Sequence, residues 1–284
     1  MNTRPAVALL SLALLPLALA ASPARAIVAI EPFSEQVSTT ISSPSDSPSP
    51  AYQWDVSYER SFDGFSIVKH VEINFLFETP LGFTAQQKAD WKAQAEASVE
   101  SIWNNKFAVR DTVNNRTYAV GVDITVDGPF DQTISVAQRP ADCGSRPGDL
   151  DCRDNMIKWF SDSTPVIHAH EFGHMLGLYD EYDGGAVDKL NNPTLSSDGI
   201  MGLGALDPDP VFYARYFQQY RDFIAGIPLA EYQRLAGSGV AQGNFVLVAV
   251  PEPGTWAMFG VGAVMLMAGV RRARRADTQR SLAS

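Results

Sequence analysis

The chain has 284 residues, 45% of them hydrophobic, with 22 basic and 32 acidic side chains and a formal net charge of −10, enough to bury the core of one domain. Its first 26 residues carry two arginines and no acid, and its last 34 carry five arginines against Glu252 and Asp277, which leaves residues 27–250 near −15. So acidic a body argues against binding to nucleic acid or to anionic membrane surfaces.

Residues 1–26 read as a secretory signal peptide. Arg4 precedes an apolar run from Ala6 to Ala20, and Ala18-Leu19-Ala20 and Ala24-Arg25-Ala26 offer small-residue cleavage sites. Residues 27–60 are expected to be a flexible lead-in, because Ser34 to Pro50 is rich in Ser, Thr and Pro. A catalytic domain is then expected over 61–240. Ile67, Val71, Ile73, Phe75 and Phe77 predict a strand over 65–77. Thr84 and Gln87 form a capping box that opens a helix, with Trp91, Ala95, Val99, Ile102 and Trp103 at helical spacing. Strands are predicted over 107–113 and 117–126 around Asn114-Asn115. Residues 130–137 are predicted to be a short edge strand alongside which an extended peptide could add, with another strand over 156–160. Cys143 and Cys152 are the only cysteines. In an oxidising compartment they are expected to pair and pin a Gly/Pro/Asp-rich loop.

Thr164 is placed to cap a helix with Pro165 at its first position. That helix carries the most informative stretch of the chain, His170-Glu171-Phe172-Gly173-His174-Met175-Leu176-Gly177-Leu178-Tyr179-Asp180. Residues i and i+4 share a helix face, so His170 and His174 can direct ring nitrogens at one metal ion. Glu171, beside the first ligand, can reach a metal-bound water and suits a general base. Gly177 permits a sharp turn that carries Asp180 back toward the metal. The other histidines are His70, in a predicted strand, and His168, which lies about 200° around the helix from His170. Asp180 is therefore the expected third ligand, with Glu181 as the alternative. Further on come Ser197-Asp198-Gly199-Ile200-Met201-Gly202 and a helix predicted over 210–225.

The stretch from His170 to Asp180 resembles the extended zinc signature of metzincin peptidases, with Asp180 where most members have a third histidine. Residues 197–202 resemble the family's Met-turn, which places Met201 beneath the metal. The resemblance implies an α+β zincin fold: a twisted mixed sheet, an active-site helix and a smaller C-terminal subdomain. It also implies one catalytic Zn2+ and hydrolysis of protein or peptide substrates. Many metzincins carry a tyrosine two residues after the Met-turn methionine, where this chain has Leu203. Tyr179 and Tyr182 are the candidates for stabilising the oxyanion instead.

At the carboxyl end, Pro251-Glu252-Pro253 precedes an apolar stretch from Gly254 to Val270, then Arg271, Arg272, Arg274 and Arg275. This resembles a PEP-CTERM sorting signal over 250–275. It implies a transient inner-membrane tether with the arginines on the cytoplasmic side, processing by an exosortase, and release to the surface or medium. The expected function is an exported zinc endopeptidase. Two alternatives stay open: a noncatalytic surface or matrix protein stabilised by zinc, and a zinc amidohydrolase acting on a non-peptide amide.

Overall fold

The computed structural model describes residues 31–43, 52–145, 150–188, 198–241 and 243–251. The expected signal peptide, Ser197, Glu252, Pro253 and the apolar stretch 254–270 lie outside the described residues. No helix among the described residues is long and apolar enough to cross a membrane.

The first strand corrects the expectation of a flexible lead-in. β1 (Phe33–Ser43) pairs antiparallel with β2 (Tyr52–Phe62) along its whole length. Phe33, Val37 and Ile41 fall on one face and pack against the core, while Ser34, Gln36, Ser38, Thr40 and Ser42 form the outer face. Composition reads these serines and threonines as linker, but in a strand they are the solvated half of an alternating pattern. The folded domain therefore begins well before residue 61.

β3 (Ser66–Phe77) is the spine of the sheet, with Ile67, Lys69, Val71, Ile73 and Phe75 buried at every second position. Next come α1 (Ala85–Trp103), β4 (Phe107–Asp111), β5 (Arg116–Val126), β6 (Gln132–Ala137) and β7 (Lys158–Phe160). The Thr84–Gln87 capping box is formed in both directions, and Asp111 accepts the Val113 and Asn114 amides at the β4–β5 turn. The mixed sheet runs β1-β2-β3-β5-β4 and ends on β8 (Phe245–Ala249), antiparallel to β4. β3 is parallel to β5 over 66–73 and to β6 over 73–77.

β6 is consequently not the edge strand. β3 takes one side of it, and β7 takes the other at Ser135–Ala137, so the edge at this end of the sheet is β7. The strand expected over 156–160 is present, but no local pattern shows that it pairs with β6, which is why 130–137 reads as an edge.

α2 (Pro165–Met175) is joined to α1 by the Trp103 indole N–H, which donates to the Ala169 carbonyl at 2.9 Å. The helix predicted over 210–225 begins later, as a 3-10 turn at Ala214–Phe217 that runs into α3 (Gln218–Gly226). Residues 198–211 are tied in a turn by the Ile200–Val211 and Val211–Asp198 backbone bonds. α4 (Leu229–Ala236) follows. The segment after α2 was expected to form a smaller subdomain. Instead Ile200, Phe217, Phe223, Tyr232 and Phe245 belong to the same core cluster as β3 and α2, and β8 returns to the main sheet.

Candidate metal centre

α2 starts where the sequence places it, with Thr164 Oγ1 accepting the Ile167 N–H and Pro165 in the first turn. Its end is set by Gly177, whose φ of +84° lies in the left-handed region. His170 and His174 stand one turn apart with ring centroids 5.1 Å apart, and both are buried. The outer nitrogen of each is anchored: Nδ1 of His170 lies 2.8 Å from the Ile200 carbonyl, and Nδ1 of His174 lies 2.8 Å from the Leu178 carbonyl. A carbonyl can only accept, so each Nδ1 carries a hydrogen, and each Nε2 presents a lone pair inward when its ring is neutral.

Asp180 closes the set. Its Oδ1 lies 3.2 Å from His170 Nε2 and 3.3 Å from His174 Nε2, and it is buried with no hydrogen-bond partner. Ligands about 2.0–2.1 Å from a tetrahedral ion sit roughly 3.3 Å from one another, so Oδ1 stands at the separation from each imidazole nitrogen that such an ion requires. Three such atoms converging in a buried space need a cation or a proton among them. The second oxygen is spoken for, because Oδ2 accepts the Ala186 N–H at 2.6 Å. Gly185 leaves room for the carboxylate: a Cβ there would come within 2.6 Å of Asp180 Cβ and Oδ2.

Electrostatics follow from this crowding. Burial disfavours charge on His174, but the Asp180 and Glu171 carboxylates outweigh it and raise its pKa to about 9. His170 is raised by the same balance. Burial pushes the Asp180 carboxyl up, yet the two imidazoles hold it well below the usual range. Glu171 is raised by burial, which the imidazoles only partly oppose. His170, Glu171 and His174 also form a buried group able to hold a metal, with one ligand atom from each within 4.8 Å of the others.

The alternative ligand is turned away. Glu181 receives Arg215 through Nε at 2.5 Å and Nη2 at 2.6 Å, and the Tyr216 hydroxyl at 2.7 Å. Its amide donates to the Met201 carbonyl at 2.7 Å, which ties the ligand-bearing turn to residues 199–202. Met201 is fully buried and lies directly under α2: a Cβ on Gly173 would sit 2.3 Å from its Sδ. Gly173 is thus the glycine of the motif that admits the methionine, while Ile200 beside it orients His170.

The remaining histidines serve elsewhere. His168 stacks on Trp159 with centroids 4.5 Å apart. His70 lies 2.8 Å from Ser61 Oγ through Nε2 and 2.8 Å from Asp123 through Nδ1. Ser61 is buried and Asp123 exposed, the reverse of what a nucleophile and its orienting acid require, so this is a cross-strand polar ladder.

Tyr179 is committed to the β1–β2 hairpin, through Ser42 O and an edge contact with Trp54. Tyr182 faces the site, with its ring centroid 6.1 Å from that of His170. Burial raises its hydroxyl pKa, reinforced by Asp180 and Glu171. Two cavities meet at Glu171 and Tyr182. One, about 460 Å³, has Ile167, Leu203, Ala205 and Leu206 in its wall; the other, about 390 Å³, has Tyr52, Trp54, Met156 and Ile157. Cys143 and Cys152 are disulfide-bonded, and Cys152 and Arg153 form the rim.

Sequence reasoning passed over Trp54, whose indole N–H donates to the His174 carbonyl at 3.0 Å, and over Gly185 and Arg153. Only Gly185, beside Gly184 and shortly after Asp180, carried a local signal.

No curated protein and no solved structure matches the chain. Residues 249–275 match the PEP-CTERM protein-sorting motif, which begins as β8 ends and includes Pro251, Glu252 and Pro253. The motif marks this chain as a protein exported and sorted to the cell surface, with its carboxyl end processed by an exosortase-type enzyme.

Proposed function

We propose that the protein is an exported zinc endopeptidase of metzincin-like fold, with His170, His174 and Asp180 holding the ion. The observation that carries this reading is the buried, unpartnered Asp180 Oδ1 at 3.2 and 3.3 Å from the two Nε2 atoms. Two imidazoles and one carboxylate suit zinc, and three protein ligands leave the open position typical of a catalytic site. Zinc bound there would acidify a water toward neutral pH and polarise a carbonyl.

The chain's own residues supply the rest. Glu171, whose carboxyl is raised toward the working range by burial, takes the proton of the attacking water and passes it to the leaving amine. Tyr182 donates its hydroxyl hydrogen to the developing oxyanion, the part that Leu203 cannot play. Residues 153–157 run along the second cavity into the edge strand β7. An extended peptide aligned with this segment crosses Glu171 and Tyr182 and sets its flanking side chains in the two cavities.

The test is zinc content and cleavage of an unfolded protein by wild type and Glu171→Gln. The expected result is one zinc in each and cleavage by wild type only, with the variant slower by about 10²–10⁴-fold. Zinc without cleavage in wild type turns the reading to a zinc-stabilised surface protein, and no zinc removes its basis.

A further inference from the structure

We infer that Arg153 is a specificity-determining residue that binds a carboxylate of the substrate next to the scissile bond. The inference rests on the peptidase reading and names the class of substrate. Arg153 lines both cavities, as Glu171 and Tyr182 do. Arg60, Arg139, Arg215, Arg221 and Arg234 each pair with an Asp or Glu. Arg153 has no ion pair or hydrogen bond among the described residues, and it is exposed.

The neighbours of Arg153 are fixed, so its backbone is held over the cleft. Cys152 is disulfide-bonded to Cys143, and its carbonyl accepts Arg139 Nη1 at 2.6 Å. Asp154 on the other side is saturated: Oδ1 accepts the Phe160 N–H at 2.7 Å, and Oδ2 accepts Ser163 Oγ at 2.6 Å and Arg139 Nη2 at 3.1 Å. Asp183 lines the first cavity without pairing with Arg153. A planar guanidinium without a partner, on a backbone held at the edge of a reaction cleft, matches the two oxygens of a carboxylate. The chain is strongly acidic and would repel acidic substrates elsewhere, which makes a local cation the means of admitting one.

The carboxylate can belong to a Glu or Asp side chain or to a peptide's free carboxyl terminus, and two arms of one experiment separate them. Zinc-loaded Glu171→Gln protein is titrated with fluorescent peptides in matched pairs, internal Glu against Gln and terminal carboxylate against carboxamide. Anisotropy reads the Kd at low and at 0.5 M salt. In one pair the acid should bind about tenfold tighter. That advantage should shrink at high salt, vanish in the added Arg153→Gln variant, and pass to a Lys-containing peptide in Arg153→Glu. Equal Kd values within both pairs, or an advantage that survives Arg153→Gln, overturn the inference. Cleavage of neutral peptides by wild type is scored separately. If it occurs with no acid preference, only the role of Arg153 fails; if neither cleavage nor binding occurs, the peptidase reading fails with it.

Discussion

Replacing Asp180 with asparagine separates a metal ligand from a structural turn, because the two oxygens of this carboxylate have different partners. Oδ2 accepts the Ala186 N–H at 2.6 Å, and Oδ1 faces the imidazoles. In the variant the carbonyl oxygen must keep the Ala186 bond, since an NH2 group there would meet a second donor. The amide nitrogen then faces His170 and His174 and donates to their Nε2 lone pairs, filling with hydrogen the place a cation would take. With both imidazoles neutral, the metal-free fold should stay within about 1 kcal/mol of wild type; where His174 is protonated, the variant also loses the pairing of that imidazolium with the carboxylate. Zinc affinity should fall more than about 100-fold, the upper end of the loss from mutating mere outer-shell partners. At a zinc concentration near 1,000 times the wild-type Kd, binding stabilises the folded state by about 4 kcal/mol, and 100-fold weaker binding cuts this to about 1.4 kcal/mol. For a domain of this size 1 kcal/mol moves Tm by about 2–4 °C. Zinc added after chelation should therefore raise the wild-type Tm by about 8–16 °C and the variant's by no more than about 3–6 °C. Asp180→Ala serves as the contrast, because it leaves the Ala186 N–H buried and unpaired at a cost of about 1–3 kcal/mol even without metal. An equal zinc response in wild type and Asp180→Asn would refute the ligand assignment.

Tyr182→Phe should lower kcat by about 10²–10³-fold with KM and zinc content unchanged; a phosphinic peptide that mimics the oxyanion should lose affinity in parallel, and an unchanged kcat would remove Tyr182 from the chemistry. Gly173→Ala drives a methyl into Met201 Sδ, with Trp103 at 3.2 Å behind it, and should destabilise by about 1–3 kcal/mol. Combined with Met201→Ala it should cost less than the sum of the single changes in denaturant titrations, since the two groups contend for one space. Lys69 is buried, with its Nζ 2.6 Å from Gln219 Oε1 and between the Tyr58 and Tyr220 rings, and burial lowers its pKa from 10.5 to about 7. Between those values the unfolded chain binds the extra proton, so stability rises with pH across that window and the penalty is complete below pH 7. From pH 7 to 9.5 the gain should be about 3 kcal/mol. Lys69→Met should abolish that slope, and an unchanged slope would place the cause elsewhere.

The parts of the site legible in the sequence are those whose geometry closes within a few residues. The capping box of α1, the Thr164–Pro165 start of α2, the His170–His174 pair and the Gly177 turn depend on helix periodicity and backbone sterics alone. The Cys143–Cys152 pairing needed only the count of cysteines and the compartment. Asp180 was narrowed by elimination, and what separates it from Glu181 is an arginine 34 residues further on, which no local pattern discloses. β1 was hidden because serine and threonine are both linker residues and the outer face of a strand. β7 falls within the strand expected over 156–160, but its identity as an edge is a property of the sheet and not of its three residues.

The same distinction explains why the candidate metal ligands could be read and the cleft could not. A ligand set is a chemical requirement that the chain satisfies with scarce residue types at fixed spacing. The cleft is assembled by pairing across the fold: Trp54 arrives on β2, Leu203 and Leu206 from the turn after Met201, and Arg153 on a rim held by a disulfide and by Arg139. Each of these residues is ordinary in its own stretch of sequence and acquires a role only from its neighbours in space. Arg153 shows this most plainly. The structure commits the groups on both sides of it and leaves its guanidinium uncommitted. That contrast becomes visible only when the partners of Cys152 and Asp154 are known.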